Sequence, residues 1–179
     1  MSDIASDDPV FDAAVAVVLA HEGGFQNDTN DPGNWTGGAI GAGARKGTKF
    51  GISAASYPTL DIANLSQDDA RTIYRRDWWD RLGLARLPPP LATKLLDAAV
   101  NLGPRPAIAC LQRALNAKGC AIAEDGVLGP ATIAAAQVVP SDAALAALRD
   151  ALAGHYRAIA ARDPARERFL AGWLARAYA

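Results

Sequence analysis

Apolar positions recur with a helical period over most of this chain. Between Val10 and His21, residues Phe11, Ala14, Val15, Val18 and Leu19 fall at i, i+3, i+4, i+7 and i+8, one face of a helix. Gly23 and Gly24 then stop it. Ser66 opens a second helical stretch, SQDDARTIYRRDWWDRL, with acids in its first turn and arginines later, as the helix dipole prefers. Pro88, Pro89 and Pro90 break the chain and start a third, LATKLLDAAVNLG, ended by Gly103. PRPAIACLQRALNAKG follows with Ile108, Leu111 and Leu115 on one face. EDGVLGP reads as a turn and PATIAAAQVV as a short helix. Ser141 is expected to cap a long helix to about Ala161, and Pro164 to start the last one. Adjacent Trp78 and Trp79 cannot share a helix face, so at least one belongs to the core. Trp173 is expected in the core of the last helix.

One segment breaks the period. Asn27 to Gly47 is rich in Gly, with Asn, Asp and Pro, and is loop chemistry. At about 20 residues it exceeds an ordinary connection and predicts a functional loop or a small β-excursion. Lys49 to Ser53, KFGIS, reads as a short strand. The expected fold is mainly α: a helical bundle with a Gly-rich loop and a small β-hairpin near the front.

Composition agrees. Of 179 residues, 40 are alanine, the best helix former, and only 7% are aromatic. The net charge of −1 argues against a nucleic-acid binder with a uniformly basic surface and against a disordered acidic chain. The charge is unevenly placed. No Lys or Arg precedes Arg45, whereas Asp3, Asp7, Asp8, Asp12, Glu22, Asp28 and Asp31 do. An acidic front on a basic body suits carboxylates that process an anionic polymer; a solvated acidic tail with Arg-rich helix faces is the plainer alternative. The start, MSDIASDDPV, lacks the basic and apolar regions of a secretory signal, and no apolar run approaches a membrane span. Synthesis in the cytoplasm is expected, without stable membrane insertion and as a monomer. Cys110 and Cys120 could be bridged or free, and His21 and His155 lack metal-ligand spacing.

The chain contains three Glu: Glu22, Glu124 and Glu167. Glu167 sits among arginines and Glu124 precedes a turn. Glu22 ends an apolar helix and faces a polar loop. Partial desolvation there favours the protonated carboxyl that a general acid needs. A loop-capping role fits less well, because the negative end of the helix dipole disfavours Glu. Glycoside hydrolysis requires a second carboxylate nearby. Asp31 is the candidate and Asp28 the rival, and either could instead form an Asx-turn beside Asn, Pro and Gly. Pro32 falls where a calcium loop would need its third ligand. Lys46-Gly47-Thr48 is out of order for a phosphate-binding loop.

These residues reach a recognisable signature. HEGGFQNDTNDPGNWTGG…KGTKFGISAASYP resembles glycoside hydrolase family 108, phage endolysins and bacterial lysozymes that cleave peptidoglycan. IYRRDWWDRL, DAAVNLGP and FLAGWLARAYA are similar to later parts of the family. CLQRALNAKGCAIAEDGVLGPATIAAA resembles its predicted peptidoglycan-binding region. The resemblance implies an α+β lysozyme-like fold over residues 1–179, with a catalytic front at 10–90 and a helical portion at 91–179. It implies N-acetylmuramidase activity on peptidoglycan, with Glu22 as catalytic acid. Asp31 and Thr48 match a Glu…Asp…Thr arrangement of phage lysozymes. No cofactor is implied. Action in the periplasm or cell wall, after holin-like release or secretion, follows from the same resemblance.

Sugar faces stack on aromatic rings, so Tyr57 and Trp35 are candidate substrate contacts. Asn101, at a helix end, could bond an N-acetyl group or serve as a cap. The turn EDGVLGPAT could touch peptidoglycan or be ordinary turn and helix-start chemistry. Arg71, Arg75, Arg76 and Arg81 could steer the protein to an anionic wall. The rival classes are a non-catalytic wall-binding or secretion-assisting protein, a lytic transglycosylase and a helical nucleic-acid binder.

Overall fold

A computed structural model describes residues 8–179. Seven α-helices dominate it: α1 (Pro9–His21), α2 (Gln67–Tyr74), α3 (Pro89–Leu102), α4 (Pro104–Asn116), α5 (Pro130–Val138), α6 (Ser141–Arg162) and α7 (Leu170–Tyr178). Strands β1 (Thr48–Lys49) and β2 (Ile52–Ser53) form an antiparallel hairpin, with Thr48 opposite Ser53 and Lys49 opposite Ile52. The chain is mainly α with one small β-element. It divides into two compact units, one of residues 15–81 and one of residues 82–179 with the start of α1. The acidic start through Asp7 lies outside the described residues.

The helical periods place the core where the pattern put it. Phe11, Ala14, Val15 and Val18 of α1 are buried, as are Ile108, Leu111 and Leu115 of α4. Leu19, the last of the α1 series, stays half-buried. In the larger unit α4 packs on α6, α6 on α7 and α3 on α4. Leu91, Leu95, Leu96, Leu111, Leu115 and Leu148 form the centre, with Ala144, Ala147 and Ala153 letting α6 approach closely. Trp173 is half-buried rather than fully so, and stacks on Tyr156 with centroids 5.5 Å apart. Cys110 is buried and Cys120 half-buried, and both thiols are free.

Several ends differ from the sequence expectation for local reasons. Ser66 does cap α2, and with Asp69 it closes a reciprocal capping box. Ser141 is not the cap of α6: Pro140 holds that position and Ser141 is the first helical residue. Pro164–Phe169 forms a 3₁₀ segment capped by Asp163, and α7 begins only at Leu170. Past Tyr74, the helix continues as a π-helix over Arg75–Asp80. That turn buries Trp79 completely and leaves Trp78 half-buried against Tyr74.

Candidate active site

The smaller unit carries most of the residues singled out above. α1 ends at His21, and the chain from Gly23 to Gln26 runs out beside the hairpin. The Phe50 N–H donates to the Gly23 carbonyl at 3.2 Å. Gln26 and Thr48 form an antiparallel bridge with two backbone bonds of 2.9 Å. A third row of chain is therefore added to β1. The single strand expected at Lys49–Ser53 is instead a hairpin, because Phe50 and Gly51 both take positive φ, 53° and 75°. Two such residues between paired strands make the tight turn whose twist matches a hairpin.

The turn seats Glu22. A β-carbon added to Gly51 would lie 3.0 Å from Glu22 Oε2 and 2.6 Å from the Tyr74 hydroxyl oxygen. The Glu22 carboxyl, half-buried, thus rests against glycine backbone where no side chain intervenes. The buried Tyr74 donates its hydroxyl to the Phe50 carbonyl at 2.8 Å and ties the turn to α2. That tie and the Phe50–Gly23 bond hold a phenylalanine in a left-handed conformation that bulky residues avoid.

Asp31 and Thr48 belong to one hydrogen-bonded chain. The Thr48 hydroxyl donates to Asn34 Oδ1 at 2.8 Å. Asn34 Nδ2 donates to Gln26 Oε1 at 2.7 Å and to the Asp28 carbonyl at 2.9 Å. Gln26 Nε2 donates to Asp31 Oδ2 at 2.8 Å, and the Gly33 N–H donates to Asp31 Oδ1 at 2.9 Å. Both Asp31 oxygens therefore accept from fixed donors, and Asp31 also caps the 3₁₀ turn Pro32–Asn34. Asp28 is exposed, and its carboxylate accepts from Asn30, through the backbone N–H at 2.9 Å and the side chain at 3.3 Å. The Asx-turn chemistry is thus present at both aspartates; Asp31 joins the Thr48 chain through its carboxylate, whereas Asp28 joins it through its backbone.

Asn34 and Gln26 were not singled out from the sequence. Asn34 is completely buried, polar, and the node of this chain. Its setting, inside N-D-x-x-D-P-G-N, looks like turn chemistry, and no periodicity marks it as buried.

The aromatic candidates have structural engagements. The Trp35 indole N–H donates to the Thr29 carbonyl at 3.2 Å, and Trp35 bridges to Arg45. The Tyr57 hydroxyl donates to Asp77 Oδ2 at 2.8 Å on the π-helix. Burial, then the Asp77 bond, pushes the Tyr57 phenol up to about 12. Arg76, bonded to Asp77 at 2.6 and 2.7 Å, holds that carboxyl below its usual range. Arg75 pairs with Asp80 at 2.9 Å. A depression of about 390 Å³ is lined by Leu60, Asp61, Leu65, Asp69, Thr72 and Ile73 and includes none of the predicted site residues.

Asn101 lies in the other unit, in the last turn of α3. Gly103, with φ 87°, caps that helix rather than Asn101. In the same unit the EDGVLGPAT turn is organised by the buried Gln112. Its Nε2 donates to Asp125 Oδ1 at 2.7 Å and to Thr132 Oγ1 at 3.1 Å, and its Oε1 accepts from the Gly126 N–H at 2.8 Å. The turn displays Val127, which is 59% exposed. Among the described residues no cluster of His, Cys, Asp and Glu could hold a metal ion. Among them, too, no helix is long and apolar enough to cross a membrane.

Residues 11–103 match the family model for Glycosyl hydrolase 108. The chain belongs to that family. Residues 106–178 match the model of a Predicted Peptidoglycan domain. The structure of Brucella abortus SagA is similar at a TM-score of 0.72 and 24% identity, over 96% of this chain and 91% of that one. That likeness concerns the fold, which is mainly α and lysozyme-like. No curated protein matches the chain. The family member is thus a glycoside hydrolase with peptidoglycan as its substrate polymer. The hydrolase match covers Glu22, Asp31, Thr48, Tyr57, Trp35 and Asn101 alike, and the Asp125–Pro130 turn falls in the peptidoglycan match.

Proposed function

We propose that the enzyme hydrolyses the β-1,4 bond between N-acetylmuramic acid and N-acetylglucosamine, with Glu22 as general acid. The observation that carries this reading is the seat of the Glu22 carboxyl, at the end of an apolar helix and against the bare backbone of Gly51. Protonated Glu22 gives its proton to the glycosidic oxygen as the bond to the sugar C1 breaks. Water adds to C1, and its proton leaves to a carboxylate. Asp31 contributes a fixed negative charge beside the oxocarbenium-like centre, where a preorganised charge needs no reorganisation. Its two oxygens, held by Gln26 and Gly33, support this positioning role. Thr48, tied to the same chain through Asn34, orients the water. Tyr57, Trp35 and Asn101 are the proposed substrate contacts, and the protein acts as a monomer on the cell wall.

Glu22→Gln tests the assignment, since it keeps shape and hydrogen bonding but has no proton to donate. The variant should unfold at the wild-type temperature and lose clearing of purified sacculi by at least about 100-fold, the scale of a lost acid catalyst. Clearing near the wild-type rate would remove Glu22 from the mechanism.

A further inference from the structure

The positive-φ turn at the hairpin tip has a second property that its twist does not require. A hairpin of this kind is satisfied by any glycine at the second turn position, whatever lies above it. Here the space above the Gly51 α-carbon is filled by two side-chain groups of other elements. They are the Glu22 carboxyl, with Oε2 at 3.0 Å and Cδ at 3.1 Å from the position of an added β-carbon, and the Tyr74 hydroxyl at 2.6 Å. The carboxyl and the phenol thus share the volume a single methyl group would occupy. The Tyr74 oxygen is itself fixed, because its proton is committed to the Phe50 carbonyl at 2.8 Å and its ring is buried.

We propose that Gly51 and Tyr74 are positioning residues for the catalytic carboxyl: the bare Gly51 backbone is its seat, and the Tyr74 hydroxyl is the wall that fixes where it stands. The proposal rests on Glu22 being the general acid. Neither residue touches the glycan in this scheme. Gly51 acts by absence and Tyr74 by occupying one side of the seat while locking the turn that forms the other. A carboxyl displaced by about 1 Å from the glycosidic oxygen costs on the order of 100-fold in rate.

The strain of placing any side chain at positive φ must be separated from the displacement of Glu22. The fold supplies the control. Gly41 has φ 80°, close to the 75° of Gly51, and an added β-carbon there meets nothing within 4 Å. Gly41→Ala therefore carries the backbone strain alone, and Gly51→Ala carries it together with the clash on the carboxyl. Turnover and KM are measured on soluble peptidoglycan fragments for wild type, Gly41→Ala, Gly51→Ala and Tyr74→Phe, with thermal unfolding of each. Gly51→Ala should lose about 100-fold in kcat relative to Gly41→Ala, with little change in KM. Tyr74→Phe, which keeps the buried ring, should lose about tenfold in kcat with KM retained. Equal kcat for Gly51→Ala and Gly41→Ala would overturn the proposal, and so would wild-type kcat in Tyr74→Phe. If Gly51→Ala fails to fold, Tyr74→Phe alone decides. Glu22→Gln, run in parallel, separates the two readings. An inactive Glu22→Gln beside fully active Gly51→Ala and Tyr74→Phe sinks only the positioning role, whereas an active Glu22→Gln sinks the acid assignment beneath it.

Discussion

Replacing Asn34 should loosen the whole loop that carries Asp31. Asn34 is completely buried and its side chain makes three hydrogen bonds, from Nδ2 to Gln26 and the Asp28 carbonyl and to Oδ1 from Thr48. Each such bond contributes about 1 kcal/mol net, so Asn34→Ala should cost about 3 kcal/mol. For a chain of this size that lowers the unfolding temperature by roughly 6–12 °C. Asn34→Asp tests the direction of the bonds. The Asp28 carbonyl can only accept, so the atom facing it must be a donor. An aspartate there points an acceptor at two acceptors and buries an unpaired charge, which the folded state relieves by taking up a proton. Its carboxyl pKa is then raised on folding. The variant should be weakest at neutral pH and gain stability as pH falls through its folded pKa toward the ordinary carboxylate range, whereas Asn34→Ala should show no such added slope. Urea unfolding from about pH 4 to pH 8 reads both effects. A loss under about 0.5 kcal/mol for Asn34→Ala, the range of a surface change, would refute the reasoning.

Two further outcomes follow from the larger unit. Asp97 is 2% exposed and receives both Nε and Nη2 of Arg176 on one oxygen at 2.9 Å, with Lys94 Nζ 3.7 Å away. Arg176→Ala leaves that carboxylate short of its main partner and should cost about 3–5 kcal/mol in urea unfolding, against nearly nothing for the exposed Arg166→Ala. Burial, then Arg113 and Arg162, hold His155 below its ordinary range. The unfolded chain therefore takes up this proton first on acidification, and stability is lost as pH falls through the ordinary histidine range. His155→Gln should flatten the decline in unfolding temperature between about pH 7 and pH 5, and an unchanged slope would place the titration elsewhere.

The sequence was most readable where one physical rule decided the outcome. The burial of Phe11, Ala14, Val15 and Val18 follows from period alone, and so does that of Ile108, Leu111 and Leu115. Glu22 was visible because a carboxylate at the end of an apolar helix conflicts with the dipole and asks for a reason. The π-helix at Arg75–Asp80, which holds the fully buried Trp79, was hidden, because RRDWWD reads as a continuation of the ordinary helical period. The turn at Phe50–Gly51 was hidden inside KFGIS, which reads as one strand. A phenylalanine at positive φ is a choice local preference opposes, and it is tied down by Tyr74 from 24 residues away. Asn34 and Gln26 were invisible for a related reason. A polar residue in a polar loop looks solvated until the loop closes over it, and closure depends on the bridge between Gln26 and Thr48.

The central claim is muramidase chemistry at Glu22, and the ends of the cleaved glycan test it most directly. Mass spectrometry of exhaustively digested sacculi should show fragments with reducing N-acetylmuramic acid for the wild type, and none above background for Glu22→Gln. Anhydro-muramic ends would mean that no water adds to C1 and the enzyme is a lytic transglycosylase. Reducing N-acetylglucosamine, freed stem peptides or an active Glu22→Gln would contradict the bond and the residue assigned here.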